Sequence, residues 1–541
     1  MTNFGIDIGT INTKIGYIDK GLVKILLNSD SERVFKSYIL LDKPRVFANS
    51  AYIRKNNKNI ITNFTNITLT NNYQYFIMFV NYLYNYFKLN NIEPKNITIA
   101  TPTSYLKKDK DIVKQVFNKY GANIIPKSIA IGLSYGYYKK NSDYFNNDSG
   151  SNIIFIDLGE KFSELSLINF KKESFKVLNN LDLNLTGEYI KEEVYKSVIN
   201  KYKIYELLDK DRIKLYNDIS DCIVKLSVNK LVTRNIENIF EKDTFSYTVY
   251  QDELNEILKP LMNGLNGQIK ELLSKSNLNK KNIDSICYIG GISRIPYLQR
   301  NSYDGIKIKN NLNADECIAN GCTIYSGLYS SKINEPNYKV SLINKESVFI
   351  AYDDKKYTLF SENDFISSSK RVRIDYPKDK IISIIFGENV IKYKLNNEDE
   401  PPVKKITIIV RKTISDDITM EQCYFKSKED KKRNNIIFKC INKELDSLIF
   451  SEIDKCWTAE NKLNEEELEI KKFSELVNNF EAQLYKVRDI LVNKGDELED
   501  SYKGELEKID KHLDLIYEYD NYNIVDTYYD MYLKLEKKIN M

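Results

Sequence analysis

"GIDIGTINTKIG", residues 5–16, runs as an apolar strand, an Asp-x-Gly corner and a second apolar strand. "IDLGEKFSELSLI", residues 156–168, follows the same plan. Two matching hairpins in one chain read as two related lobes, each lending one corner to a shared cleft. Gly9 and Gly159 let the main chain turn tightly and approach an anion. Exposed N–H groups there hold phosphate oxygens, and Asp7 and Asp157 suit the orientation of water on Mg²⁺. One Asp-x-Gly alone is explained as well by a plain turn. Two in register, with a third glycine element downstream, are not.

That third element is "YIGGISRIPYLQ", residues 288–299, a strand entering Gly290-Gly291 before a helix. Paired glycines there let backbone lie against a flat purine or an α-phosphate, although a tight strand–helix turn looks the same in sequence.

Working outward, residues 1 to about 330 alternate strand-like runs ("FGIDIG", "NITIATP", "NIIFIDLG", "SICYIGG") with helical patterns over 74–88, 108–120, 187–203 and 251–275. This alternation predicts α/β architecture. "NEPNYK", 334–339, reads as a linker. Short alternating runs such as "SVFIAY", "KIISIIFG" and "KKITIIVRK" then predict an antiparallel β module. The charge run "KSKEDKKRNN", 426–435, reads as an exposed loop. An acidic stretch at 460–470 opens a helical tail. Phe473, Leu476, Val477, Phe480, Leu484, Val487 and Leu491 recur at three- and four-residue steps, marking one amphipathic helix that Gly495 ends. Leu506, Ile509, Leu513 and Ile516 begin a second face, and a third helix covers about 524–539. The tail is expected to pack on itself as a bundle.

A chain of 541 residues exceeds one core and favours several domains. The net charge of +4, among 80 basic and 76 acidic residues, does not argue for nucleic acid. Seven scattered cysteines, no C-x-x-C and a single histidine, His512, argue against zinc sites and Cys–His nucleophiles and suit a reducing compartment. Cys317 and Cys322 read as small buried residues, and His512, beside Lys511, as solvated. The N-terminus enters a strand directly, without a leader pattern, and "YFIMFVNYLYNYF" at 75–87, broken by Asn81 and Asn85, reads as a packed helix rather than a membrane span. The expected location is cytoplasmic.

"GIDIGT", "IDLG" and "IGGISRIP", in this order and spacing, resemble the Hsp70 superfamily, and "LNADECIANGCTIYSGLYS", 312–330, resembles the segment closing its ATPase domain. The wording of that segment, with "LVNNFEAQLYKVRDIL" and "YNIVDTYYDMYLKLEKKI" in the tail, looks more like the Hsp110 branch, in a reduced and diverged form. The resemblance implies a multidomain chain. An actin-like, two-lobed α/β nucleotide-binding fold would occupy 1–333, with its lobe IB shortened around 50–95. A linker at 334–344, an antiparallel β-sandwich at 345–458 and a C-terminal α-helical bundle at 459–541 would follow. It further implies ATP or ADP with Mg²⁺, water-linked to Asp7 and Asp157, and no other metal. The nucleotide would contact Asp7, Gly9, Thr10, Ile11 and Asn12 from the first hairpin, and Asp157 and Gly159 from the second. Gly187, Glu188, Lys225 and Ser227 would come from flanking helices, and Gly290, Gly291, Ser293, Arg294 and Asp315 from the third element.

Departures from the pattern bear on activity. Glu160, Lys161 and Phe162 stand where the family has Gly-Gly-Thr. A carboxylate beside a polyphosphate is repulsive, with Lys161 as the nearby offset, and Phe162 removes a hydroxyl. Lys127-Ser128, in "PKSIAIGLSYG", replaces a Glu-Pro pair, exchanging an acid associated with Mg²⁺ for a base. No residue can be matched to the lysine of lobe IB that acts at the γ-phosphate, and "KLSVN" keeps only part of the adenine-gripping helix. These losses predict slow or absent hydrolysis, with no catalytic residue assigned.

The leading expectation is an Hsp110-like co-chaperone. It would act as nucleotide exchange factor on the nucleotide-binding domain of a partner Hsp70, and would hold unfolded polypeptides, with neither nucleic acid nor membrane as partner. The β module suits edge pairing with extended peptide. Competing expectations are an active Hsp70-type ATPase chaperone and a nucleotide-independent, ribosome-associated interaction protein. The first lacks its acidic, leucine-rich linker in 331–344. Sugar kinases share the hairpin plan but not the β and helical tail. The ending "KKINM" lacks the acidic EEVD-type signal for tetratricopeptide co-chaperones.

Overall fold

A computed structural model describes residues 2–65, 73–118, 121–139, 150–205, 207–300, 303, 305–309, 312–329, 339–344, 346–362, 364–366, 369–387, 389–396, 404–415, 417–426, 432–441, 444–494 and 500–540. The contacts divide the chain into two units. One comprises 1–40 and 47–456, and the other comprises 41–46 and 457–541.

In the first unit the two hairpins seed two equivalent sheets. Strands Thr2–Ile8 and Asn12–Asp19 pair antiparallel, Leu22–Ile25 extends the meander, and Pro94–Thr101 adds parallel to Thr2–Ile8. In the second half Ser151–Asp157, Ser163–Lys171 and Ser174–Leu183 form the same meander, with Ser285–Ile289 parallel to Ser151–Asp157. The register aligns Asp7 with Lys14 in one hairpin and Asp157 with Glu164 in the other. This is the expected two-lobed, actin-like α/β fold. Buried apolar strand faces such as Ile153, Phe155, Ile154 and Ile156 supply cores on both sides of the second sheet.

Two helices cross between the halves. Helix Cys317–Tyr329 rests on the first hairpin because Gly5 and Gly16 present no side chain. A Cβ on Gly5 would meet Thr323 N at 2.1 Å, and one on Gly16 would meet Thr323 Oγ1 at 2.3 Å. It crosses helix Lys127–Lys139 equally closely at Gly321 and Ala130. Cys317 and Cys322 are buried, and desolvation raises both thiols well above their ordinary range.

The helical periods map onto Tyr73–Leu89, Lys107–Val116, Gly187–Tyr202 and Gln251–Lys275. Phe76, Phe79, Leu83 and Phe87 are buried, and no described helix is long and apolar enough to cross a membrane. The hairpin of Leu231–Ile239 and Lys242–Tyr250 had no counterpart in the sequence reading. The expected linker is in part structured. Residues 334–338 lie outside the described residues, but Lys339–Ile343 is a strand, parallel to Ser174–Leu183 and antiparallel to Phe365–Ile366.

Beyond it, a five-stranded and a four-stranded sheet share one core, in which Ile350, Ile382 and Ile384 meet Ile406, Ile408 and Val410. This is the expected β-sandwich. Part of "KSKEDKKRNN" lies outside the described residues, and Arg433–Asn435 is an edge strand rather than loop.

One helix, Glu444–Lys494, contains the whole stretch expected to open the tail, and Gly495 lies outside the described residues. In the second unit Leu476, Val477, Phe480, Leu484, Val487 and Leu491 pack with Ile509, Ile516, Val525 and Tyr532 from Asp500–Asp514, Tyr522–Ile539 and their connection. Loop 41–46 belongs to this unit. Arg45 Nη1 donates to Glu460 Oε2 at 2.7 Å and its Nε to Glu467 Oε1 at 2.7 Å, all three side chains being largely buried. His512 is half-buried rather than solvated. Its Nδ1 lies 2.6 Å from Tyr519 Oη, and its ring stands 4.5 Å from that of Tyr528 and 5.7 Å from that of Phe480. The aromatic residues of other segments, invisible beside Lys511 in sequence, draw it inward.

Candidate functional site

A cleft of about 730 Å³ lies between the two hairpin corners of the first unit, within the range of small-ligand sites. Asp7, Gly9, Thr10, Ile11 and Asn12 line it from one side, and Asp157 and Gly159 from the other. The corners are built alike. Gly9 N–H donates to Asn12 O at 3.1 Å, and a Cβ on Gly9 would stand 2.6 Å from that oxygen. At Gly159 the N–H donates to Ser163 Oγ at 3.0 Å, and a Cβ would stand 2.3 Å from Phe162 O.

Gly290 and Gly291 complete the cleft with Arg294 and Asp315, which form an ion pair with each other. Gly290 has φ +84°, and a Cβ would lie 2.3 Å from Leu158 O, so glycine is required there. Nothing lies within 4 Å of a Cβ on Gly291, which faces open space. Leu158 N–H donates to Ile289 O at 2.9 Å, fastening the third element to the second hairpin. Gly187 and Ser227 also line the cleft, Ser227 beside Ser220 and Ile223 of helix Asp209–Leu226.

Three expected residues do not line it. Ser293 is buried and donates to Gly290 O at 2.6 Å, supporting the turn. Glu188 donates its N–H to Glu160 O at 2.8 Å, while its carboxylate accepts from Lys161. Lys225 is exposed on its helix.

The departures from the family pattern have local partners. Glu160 accepts from Lys191 Nζ at 2.7 Å, so its charge is offset by Lys191 rather than by the expected Lys161. Lys161 turns to Glu188 at 3.4 Å. Phe162 stands edge-on to Tyr105, centroids 5.6 Å apart.

Several cleft residues escaped the sequence reading. Lys14 and Lys36 line it, and burial pushes the Lys36 ammonium below its ordinary range. Lys127 is largely buried, its Nζ donating to Asp157 Oδ2 at 3.1 Å. Burial pulls the Lys127 pKa down, but Asp157, Asp7 and Glu164 around it outweigh that and hold its ammonium above the usual lysine range. Desolvation raises Asp7 and pushes Glu164 up to about 7. The signal was present only as lysines in or beside each motif, in a chain where lysine is common everywhere.

Two carboxylates, an enclosed ammonium, backbone corners and an open glycine face suit a ligand with an anionic end and a flat apolar end. They do not suit a hydrated Mg²⁺ in addition. The ammonium already engages Asp157, one of the two carboxylates, and among the described residues no group of three or more His, Cys, Asp or Glu has metal-holding geometry.

Comparison with known proteins agrees with this plan. The chain is 25% identical over 259 residues to a heat shock protein homolog of Candida glabrata, a match covering 46% of this chain and 37% of that protein. It is 25% identical over 240 residues to a heat shock protein homolog of Naumovozyma castellii, covering 43% and 34%. With a heat shock protein homolog of Saccharomyces cerevisiae it shares 26% over 209 residues, covering 37% and 30%. The chain thus spans about a third of the length of these relatives. The HSP70 family, described as Hsp70 protein, matches residues 94–376, over half of the sequence. With its paired hairpins, glycine turn and sandwich, this chain belongs to the Hsp70 family.

Proposed function

We propose that this protein is an Hsp110-like co-chaperone. It binds an adenine nucleotide in the hairpin cleft, hydrolyses it weakly or not at all, and promotes nucleotide release from a partner Hsp70. One observation carries the reading: the cleft is intact, while its catalytic corner is taken up by the protein's own ion pairs. Lys127 engages Asp157, Lys191 engages Glu160, and Lys161 engages Glu188. Hydrolysis needs charge-stabilising groups aimed at the transferring phosphoryl. Binding needs only the corners and the purine face, which remain.

Such a protein acts by population shift. A surface that prefers the open lobes of a partner lowers that partner's nucleotide affinity by its differential binding energy. Unfolded chains are a further client class, held by edge pairing on the sandwich. The deciding experiment mixes the full chain with the Hsp70 of the same cell, loaded with labelled ADP, and follows release. Acceleration supports the exchange role; none at saturating protein ends it.

A further inference from the structure

Lys127 is the first residue of helix Lys127–Lys139, directly after strand Asn123–Pro126. It reaches the floor of the cleft, where the ends of both hairpins meet. Its Nζ holds Asp157 Oδ2 at 3.1 Å, with the two side chains 11% and 3% exposed. Asp7 and Glu164 complete the cluster, and Asp7 Oδ1 and Glu164 Oε1 are buried without a hydrogen-bond partner among the described residues. Lys14, opposite Asp7 in the hairpin, adds a second positive charge.

We propose that the Lys127 ammonium takes the place of a divalent cation in this cleft, so that a nucleoside diphosphate binds here without Mg²⁺. The inference rests on the nucleotide reading above. Mg²⁺ demands near-octahedral oxygen ligands at about 2.0–2.1 Å and brings several waters. The ammonium engages Asp157, which would otherwise orient the metal's water, and it would repel a dication. A lysine is a compact point charge with three donors. It offsets the charge of Asp157 and still lines the cleft, so it can also meet a phosphate oxygen. Lys14 and Lys36, on the same wall, add the charge that a bound metal would otherwise bring to the phosphates.

The test uses the full chain and ADP carrying a fluorescent ribose label. The expected affinity is the same within about threefold in excess MgCl₂ and in EDTA; a loss of about tenfold or more in EDTA overturns the proposal. A second arm needs no nucleotide. Thermal melting is compared in MgCl₂ and in KCl of equal ionic strength for the wild type, Lys127→Glu and Lys127→Met. Magnesium is expected to raise the midpoint of the variants by several degrees, of order 5 °C, and to leave the wild type unmoved. Equal shifts in wild type and variants overturn the proposal. If labelled ADP binds under neither condition, the nucleotide reading falls, and the melting arm still decides whether Lys127 excludes the metal.

Discussion

Lys191 holds Glu160 at 2.7 Å, and a Cβ on Gly187 would stand 2.4 Å from the same carboxylate. A residue that in sequence should repel phosphate is thus folded back onto the helix that follows the hairpin. Removing the lysine frees the charge. Lys191→Ala is expected to weaken labelled-ADP binding by about tenfold, whereas Lys191→Ala with Glu160→Gln recovers most of it, since one unpaired charge near an anion costs of order 1 kcal/mol. An equilibrium titration of the double-mutant cycle checks both.

Gly290 tests the third corner. Its φ of +84° and the approach of Leu158 O leave no space for a methyl group. Gly290→Ala is expected to destabilise the first unit by about 1–3 kcal/mol, through backbone strain and a displaced Leu158. Gly291→Ala, where a Cβ meets open space, should leave denaturant midpoints nearly unchanged while weakening ADP binding.

Across the cleft, Lys55 Nζ meets Asp221 Oδ2 at 2.8 Å, and Lys55 O accepts from Asn217 Nδ2 at 3.0 Å. These contacts tie the segment between the first hairpin and strand Pro94–Thr101 to helix Asp209–Leu226 of the other half. Lys55→Ala is expected to raise the ADP dissociation rate by about three- to tenfold, with little change in melting temperature, because the pair is only partly buried. Stopped-flow displacement of labelled ADP measures it.

In the helical unit, Arg45 is closed in by Glu460 and Glu467. Arg45→Ala leaves Glu460, 3% exposed, without that countercharge. It is expected to cost about 3–5 kcal/mol, and Arg45→Lys to recover only part, since one ammonium cannot span both carboxylates as the guanidinium fork does. Chemical denaturation followed in the full chain reads this loss.

His512 gives the same unit a pH dependence. Burial, reinforced by Lys511, holds its pKa below the ordinary 6.5, so the folded state favours the neutral ring. Its contribution is fully present above pH 6.5 and is lost as pH falls below that value. Melting curves from pH 7.5 to about 5.5 are therefore expected to fall more steeply for the wild type than for His512→Gln. Parallel profiles would falsify the assignment.

Much of this architecture is legible without coordinates, because it rests on local chemistry. The strands bounding Asp7 and Asp157 declare themselves by apolar runs ending in glycine. The heptad-like spacing from Phe473 to Leu491 names the very side chains that form the helical core. What escapes is relational. Lys127 reads as a lost acid, because its carboxylates come from residues 7, 157 and 164, far away in the chain. Lys161, adjacent to Glu160, is the obvious partner in sequence, yet a strand turn sends it to Glu188 while a helix delivers Lys191. His512 looks solvated beside Lys511 because Phe480, Tyr519 and Tyr528 close on it only after the helices pack.

The strand Lys339–Ile343 is stitched on both sides, with Leu342 facing Val177 along one edge and Ile366 along the other. A joint made this way behaves less like a rope than like a zipper. Freeing this strand means breaking the backbone bonds of both ladders in sequence, so the chain running from the α/β sheet toward the sandwich is anchored as far as Ile343 rather than slack.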